Sequence, residues 1–255
     1  MIPWYVHSFG RDYAELYAHR DDDEAEADVR ALIALIAPKK QDPLLDLGCG
    51  TGRHLVALQR AGFQTLVGLD LSSDLLAIAA ERLRPIASES ARLIRVDMRN
   101  IPYESYFATV LSLFTSFGYF EQDEANMAVL RAVERALRPG GQLLLDHLNR
   151  AHVRANLVPS ETQELDGRHL HFRRGVTTDG RRVKKTTRVV EQDGTVKVFH
   201  ESVRMYTLDE MEEMLSRAGF LNVRSYGSLL GDAYSLESPR LVLVAEKGGA
   251  RASSR

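Results

Sequence analysis

An aspartate followed by three glycines at alternate positions, in the run Asp46-Leu47-Gly48-Cys49-Gly50-Thr51-Gly52, is the densest group of chemistry-bearing residues in the chain. Apolar Leu44 and Leu45 lead into it, so a strand ends here and turns sharply into a helix. Glycine permits that turn and lets a ligand approach the main chain. The free amide groups that open the following helix favour a carboxylate, and Asp46 at the strand end can accept from an ammonium group. Two common phosphate motifs are excluded. Gly52 is followed by Arg53 and His54, not by the Lys-Ser/Thr of a P-loop, and Arg53 stands where a dinucleotide fingerprint needs its last glycine.

Two more carboxylates close apolar runs. Leu66–Asp70 ends 24 residues after Asp46, the length of one β-α-β unit, which puts Asp70 at the carboxyl edge of the neighbouring strand. There it can accept two hydrogen bonds from ribose hydroxyls. The run Leu93–Val96 ends in Asp97-Met98, adding an acceptor and an apolar side chain at the same edge.

The elements that must hold these groups alternate. Helices are predicted over Arg11–Arg20 and Glu24–Ala37, the second opened by acidic Asp21–Asp23 and stopped near Pro38. Strand 43–47, helix 52–61, strand 64–70, helix 73–84, strand 92–96, strand 107–113, helix 121–137 and strand 141–148 follow. Pro139-Gly140-Gly141 is read as a break before the last of these. Such alternation implies an α/β fold with right-handed crossovers, a parallel sheet and ligands at its carboxyl edge. After Asn149 the pattern changes. Arg168–Tyr206 reads as antiparallel strands with turns at Asp179-Gly180 and Asp193-Gly194. A helix over Thr207–Ala218, stopped by Gly219, and strands at Val223–Tyr226 and Leu241–Glu246 complete the pattern.

On Asp46–Gly52, Asp70, Asp97-Met98 and the run ALRPGG from Ala136 to Gly141, the chain resembles the class I S-adenosylmethionine (SAM)-dependent methyltransferases. The resemblance implies a seven-stranded, mostly parallel sheet of order 3-2-1-4-5-7-6. It further implies N-terminal helices over the site (1–37), a Rossmann-like SAM-binding domain (38–150 and 207–247), an antiparallel β insertion on the substrate side (151–206) and a disordered tail (248–255). SAM is then the cofactor and S-adenosylhomocysteine (SAH) its product. Asp46, Gly48, Cys49 and Gly50 would hold the amino-acid end, with Asp70 and Leu71 at the ribose. Asp97 would meet the adenine amino group, Met98 would line the ring, and Phe114 would join the cofactor contacts. The insertion and Phe114–Phe120 (FTSFGYF) also resemble small-molecule N-methyltransferases, including those acting on amino sugars, which implies that Tyr13 folds over the cofactor.

Methyl transfer from a sulfonium needs alignment more than chemical help, and a base only if the acceptor arrives protonated. Tyr119 after the fourth strand, His147 with Asn149 at the end of the fifth, and Tyr13 are the candidate catalytic groups. Arg20 is a candidate cation for the cofactor carboxylate. The acceptor is read as a small molecule attacking through nitrogen or oxygen. A basic stretch in the insertion (Arg181, Arg182, Lys184, Lys185, Arg188) keeps an RNA methyltransferase as the alternative, and a SAM-binding sensor without catalysis is a third reading. That stretch otherwise reads as a solvated strand face, with Val183 and Val189 inward.

Composition narrows the classes further. The net charge of −2 gives no global field for nucleic acid, and no uninterrupted apolar run approaches a membrane span. The start, MIPWYVHSFG, lacks the charged and apolar regions of a signal peptide, and a single cysteine, Cys49, fits a reducing cytoplasm. Cys49 reads as a packing residue, with no base beside it to make it a nucleophile. No metal is expected: His169 and His171 lack a third ligand, and Asp146 with Asn149 lacks a second aspartate. The sequence leaves the oligomeric state open.

Overall fold

Short buried apolar runs such as Leu44–Leu47, Leu66–Asp70 and Phe107–Ser112, each followed by an amphipathic helix, build the centre of the molecule. The computed structural model describes residues 3–16, 22–85 and 91–249. Three helices come first: α1 (Trp4–Ser8), α2 (Arg11–Leu16) and α3 (Asp22–Ile36). The core then follows as β1 (Leu44–Leu47), α4 (Arg53–Arg60), β2 (Leu66–Asp70), α5 (Ser73–Leu83), β3 (Ala91–Arg95), β4 (Phe107–Ser112), α6 (Asp123–Ala136) and β5 (Leu137–Leu148). After α7 (Arg150–Asn156), four strands form the insertion: β6 (Ser160–Leu165), β7 (Arg168–Val176), β8 (Arg182–Val190) and β9 (Val196–Arg204). The chain returns to the core with α8 (Leu208–Ala218), β10 (Phe220–Tyr226) and β11 (Arg240–Lys247).

The seven-stranded sheet runs β3-β2-β1-β4-β5-β11-β10, which is 3-2-1-4-5-7-6 when only its own strands are numbered. β1 pairs in parallel with both β2 and β4, while β11 is antiparallel to β5 and β10. Side chains alternate across the sheet as the strand period requires. Leu45, Val67, Val110 and Leu143 pack towards α6 and α8; Leu44, Leu66, Leu111 and Leu144 pack towards α3 and α4. Local signals fix the helix ends. Three acidic residues open α3, Thr207 and Glu210 form a reciprocal capping box on α8, and Gly219 ends α8 in the left-handed region at φ 101°.

Several expectations needed revision. β5 begins at Leu137 and runs through Pro139-Gly140-Gly141, which forms a bulge inside the strand: its partner register on β4 jumps between Phe107 and Thr109. The insertion contains a further strand, β6, joined to β7 by a turn at Asp166-Gly167 with both residues at positive φ. α1 and α7 were also not foreseen. The basic residues of the insertion do not share one solvated face. Lys184 and Arg188 are exposed, but Lys185 lies on the face of buried Phe172 and Val189, paired with Glu201 at 3.2 Å. Of the expected tail, residues 250–255 lie outside the described residues. Among the described residues, no helix is long and apolar enough to cross a membrane.

Candidate functional site

The glycine turn is built by β1 and β2 together. Leu69 O at the end of β2 accepts from Gly48 N at 2.7 Å and Cys49 N at 3.1 Å, and Gly48, Gly50 and Gly52 all have positive φ. A side chain at Gly48 would collide with Ser116, whereas the space where one would stand on Gly50 is open. The space beside the Gly50 main chain is therefore open, although the amides of Gly48, Cys49 and Gly50 already donate within the protein.

Asp46, on β1, is buried, and its Oδ2 has no hydrogen-bond partner within the protein. Burial pushes its pKa up to about 6 against the opposing charges of His54 and Arg53, with Asp70 adding to the rise. Asp70 is half-buried at the end of β2. Its Oδ2 accepts from Gly50 N at 2.9 Å and its Oδ1 from Ser72 N at 2.8 Å. Burial raises its pKa and those two hydrogen bonds moderate the rise. Cys49 is a buried thiol, its pKa raised by burial well above the ordinary value, which leaves it no nucleophilic character at neutral pH.

These groups border a cavity of about 490 Å³ along the carboxyl edge of the sheet. Gly48, Cys49, Gly50, Leu71, Asp97, Met98 and Phe114 line it, together with Asp46 and Asp70. Asp97 reaches the cavity already engaged: Arg99 donates to its Oδ1 from Nε at 2.9 Å and to its Oδ2 from Nη2 at 2.6 Å. Burial alone would raise the Asp97 pKa, but the bonds from Arg99 outweigh it and hold the carboxyl below its ordinary value. The Arg99 guanidinium in turn lies over the Phe120 ring at 4.4 Å.

The other wall is aromatic. Tyr5, Phe9 and Tyr13, from the N-terminal segment, line the cavity together with Tyr119 and Phe120. Phe9 stacks on Tyr119 with ring centroids 5.5 Å apart, Trp4 meets the same ring edge-on at 5.1 Å, and Tyr5 meets Phe120 at 5.4 Å. Besides these ring contacts with the core, the roof is fastened by polar bonds to the insertion sheet. Ser8 Oγ donates to His200 O at 2.6 Å, Lys197 pairs with Asp12 at 2.6 Å, and Arg168 pairs with Glu15 at 3.1 Å. Leu16 packs into a small cluster with Leu170, Phe172 and Val189. Arg182, read from the sequence as part of a solvated face, is half-buried. Its guanidinium donates to Phe120 O at 3.0 Å, Tyr119 O at 3.3 Å and Ser202 O at 2.9 Å, fixing the backbone beneath the wall.

The site places some expected residues elsewhere. His147 is fully buried and does not line the cavity; it packs beside Phe117 and Tyr206 and donates from Nε2 to Arg204 O at 3.0 Å. Burial, then the charge of Arg240, press its pKa down to about 3, so it is neutral and cut off from an acceptor. Asn149 is the cap of α7, with its amide donating to carbonyls of the 235–238 loop. Asp146 is no metal ligand: its oxygens accept from Arg240 Nε at 2.7 Å and Phe114 N at 2.9 Å. Arg20 lies outside the described residues. The sequence reading did not find Tyr5, Phe9, Arg53 and His54, all of which line the cavity. Arg53 is buried, pairs with Glu24 at 2.6 Å and lies 4.2 Å from the Phe114 ring; His54 stacks on the same ring at 5.4 Å and meets Asp28 at 3.2 Å. Arg53 and His54 directly follow the glycines, which was a usable signal.

Residues 44–141 match a family described as a methyltransferase domain. The chain is 28% identical over 219 residues to the cypemycin N-terminal methyltransferase of a Streptomyces species, covering 80% of this chain and 82% of that one. It is 33% identical over 141 residues to the dTDP-3-amino-3,4,6-trideoxy-alpha-D-glucopyranose N,N-dimethyltransferase of Streptomyces venezuelae, covering 53% of this chain and 56% of that enzyme. Among solved structures, SAM-bound CalS10, an amino pentose methyltransferase from Micromonospora echinaspora, is similar with a TM-score of 0.67 and 26% identity, over 93% of this chain and 97% of that one.

Proposed function

We propose that this chain, which is a SAM-dependent methyltransferase of the class I fold, transfers the methyl group to a nitrogen or oxygen of a small molecule held beneath its aromatic roof. The observation that carries this reading is the continuous aromatic surface along one side of the cavity, in which Phe9 stacks on Tyr119, Tyr5 meets Phe120 and Tyr13 meets Phe9. The whole cavity, about 490 Å³ with the cofactor residues included, is on the scale of small-molecule sites, roughly 300–1,000 Å³. A polynucleotide calls instead for an open, positively charged groove.

The residues present fit SAM. Asp46 supplies a buried carboxylate oxygen without a partner for an ammonium group, and Gly50 leaves its main chain open to close approach. SAM, when bound, would supply a methyl group already activated as a sulfonium, with SAH as the leaving group. Asp70, held by Gly50 and Ser72, turns its remaining lone pairs to the ribose hydroxyls. Arg53 adds positive charge beside the glycine turn, where the carboxylate end lies. Asp97, steadied by Arg99, and Met98 border the adenine. Tyr13 and Tyr119 orient the acceptor through their hydroxyls and exclude water with their rings. A neutral amine held this way needs no base.

In this reading α1 and α2 form the roof, strands β6 to β9 support the substrate side, and the seven-stranded sheet with its helices carries the cofactor, with α3 packed into the core beside α4. The cytoplasm suits the reduced Cys49 thiol. The test is incubation with methyl-labelled SAM and separate fractions of small metabolites, RNA and protein. Label in the metabolite fraction supports the reading. Label in RNA moves the assignment to a nucleic-acid acceptor, and SAM binding without transfer to any fraction makes the chain a sensor.

A further inference from the structure

Phe114 and Thr115 both occupy the left-handed region, at φ 52° and 64°. Neither is glycine, and for β-branched Thr115 this conformation is a marked outlier that its surroundings must impose. Three hydrogen bonds to two distant residues, which a fourth bond joins to each other, impose it. Phe114 N donates to Asp146 Oδ2 at 2.9 Å and Thr115 N to Asp146 O at 3.0 Å. Arg240 then bridges the pair, donating from Nε to Asp146 Oδ1 at 2.7 Å and from Nη2 to Thr115 Oγ1 at 2.8 Å. Asp146 and Thr115 are buried, so relaxing the turn would strand their polar atoms away from water. The result is visible one residue back: the Phe114 ring reaches the cavity with the Arg53 guanidinium over it and His54 stacked on it.

We propose that Asp146 and Arg240, which do not line the cavity, are positioning residues that hold the cofactor site in its binding shape by keeping Phe114-Thr115 left-handed. This rests on the cofactor assignment made above. Arg240 opens the antiparallel strand β11 beside β5, where Val242 stands opposite Asp146. The last strand thereby reaches the loop after β4, 125 residues earlier in the chain. Without the clamp, the turn relaxes towards extended or right-handed backbone and the Phe114 ring leaves Arg53 and His54 without their common platform.

The test uses SAH as the probe, its dissociation constant measured by titration calorimetry on the full chain, with thermal denaturation run alongside. Thr115→Ala and Thr115→Gly both remove the acceptor for Arg240, but only glycine tolerates the left-handed region. Alanine is expected to weaken SAH binding about fivefold more than glycine does. Arg240→Met is expected to weaken binding about tenfold, as a lost charge-assisted bond allows, and adding Thr115→Gly to it should recover much of that loss. Arg240→Lys, which can serve Asp146 but not both partners, should fall between. Equal binding by the two Thr115 variants overturns the proposal, and these variants decide the matter if Arg240→Met does not fold. Melting temperatures that fall while SAH affinity stays constant also overturn it, since the clamp is then structural only. A wild-type chain that fails to bind SAH overturns the cofactor assignment itself, and the proposal with it.

Discussion

Gly50 N donates to Asp70 Oδ2 at 2.9 Å, tying the glycine turn after β1 to the end of β2. The same carboxylate accepts from Ser72 N at the cap of α5. One side chain thus organises two turns and faces the cavity between them. Asp70→Ala is expected to reduce SAM affinity by at least two orders of magnitude, since a charged acceptor of two ribose bonds and a support of the turn disappear together, about 3 kcal/mol or more. The chain should still fold, with a lower melting temperature. Unchanged affinity by calorimetry would remove the ribose assignment.

Asp46 gives a pH dependence of defined sign. Its pKa is raised from 3.8 to about 6 by burial, so the folded protein holds the proton more tightly than the unfolded chain. The resulting stability is fully present below pH 4 and is lost as pH rises through 6. Asp46→Asn should therefore stabilise the ligand-free protein above pH 6, by up to about 3 kcal/mol, while weakening SAM binding. Denaturant melts of both proteins at pH 4.5 and 7.5 check it: the advantage of the Asn variant must grow with pH.

His147 works the other way. Its pKa of about 3 lies below the ordinary value of 6.5, so protons bind the unfolded chain first and His147 draws stability down as pH falls from 6.5 towards 3. Its ring resonances are expected to stay constant in NMR spectra from pH 5 to 8. A midpoint inside that window would contradict its burial and restore it as a candidate base.

Tyr119→Phe should lower turnover while leaving SAM affinity close to wild type, because only the hydroxyl is removed and the stack with Phe9 remains. Turnover of the labelled metabolite at an unaltered rate would sink the orienting role.

Arg182→Met removes the donors to Phe120 O and Tyr119 O. The acceptor KM should rise about tenfold, equivalent to about 1.4 kcal/mol lost at the wall. SAM affinity should hold, since Arg182 touches no part of the glycine turn. A parallel loss of SAM affinity would show that the wall and the cofactor edge are one unit.

The contrast between Asp70 and His147 shows what the sequence could reveal. Asp46, Gly50 and Asp70 are legible because their places at the cavity follow from local rules: apolar run, glycine turn, next apolar run. His147 was placed correctly at a strand end, but alternation along β5 sends Asp146 and His147 to opposite faces, and His147 follows Leu143 and Leu145 into the core beside α6. Asp97 shows a second limit, because a partner two residues away, Arg99, already occupies its carboxylate. The turn at Asp166-Gly167 carries the same Asp-Gly signal as those at Asp179-Gly180 and Asp193-Gly194. Contacts such as Ser8 with His200, or Arg240 with Thr115, join residues 192 and 125 positions apart. No periodicity encodes such pairs; they exist only once the sheet has formed.

The fastening of the roof to the insertion sheet has a consequence for redesign. Ser8, Asp12 and Glu15 from above and the Tyr119–Phe120 backbone from below all attach to strands β7 to β9. Exchanging only the rings that touch an acceptor would transplant contacts without their scaffold. A graft meant to change the acceptor must carry the N-terminal helices, the 114–120 loop and the four-stranded sheet as one cassette, while the methyl-donor half stays in place as a reusable chassis.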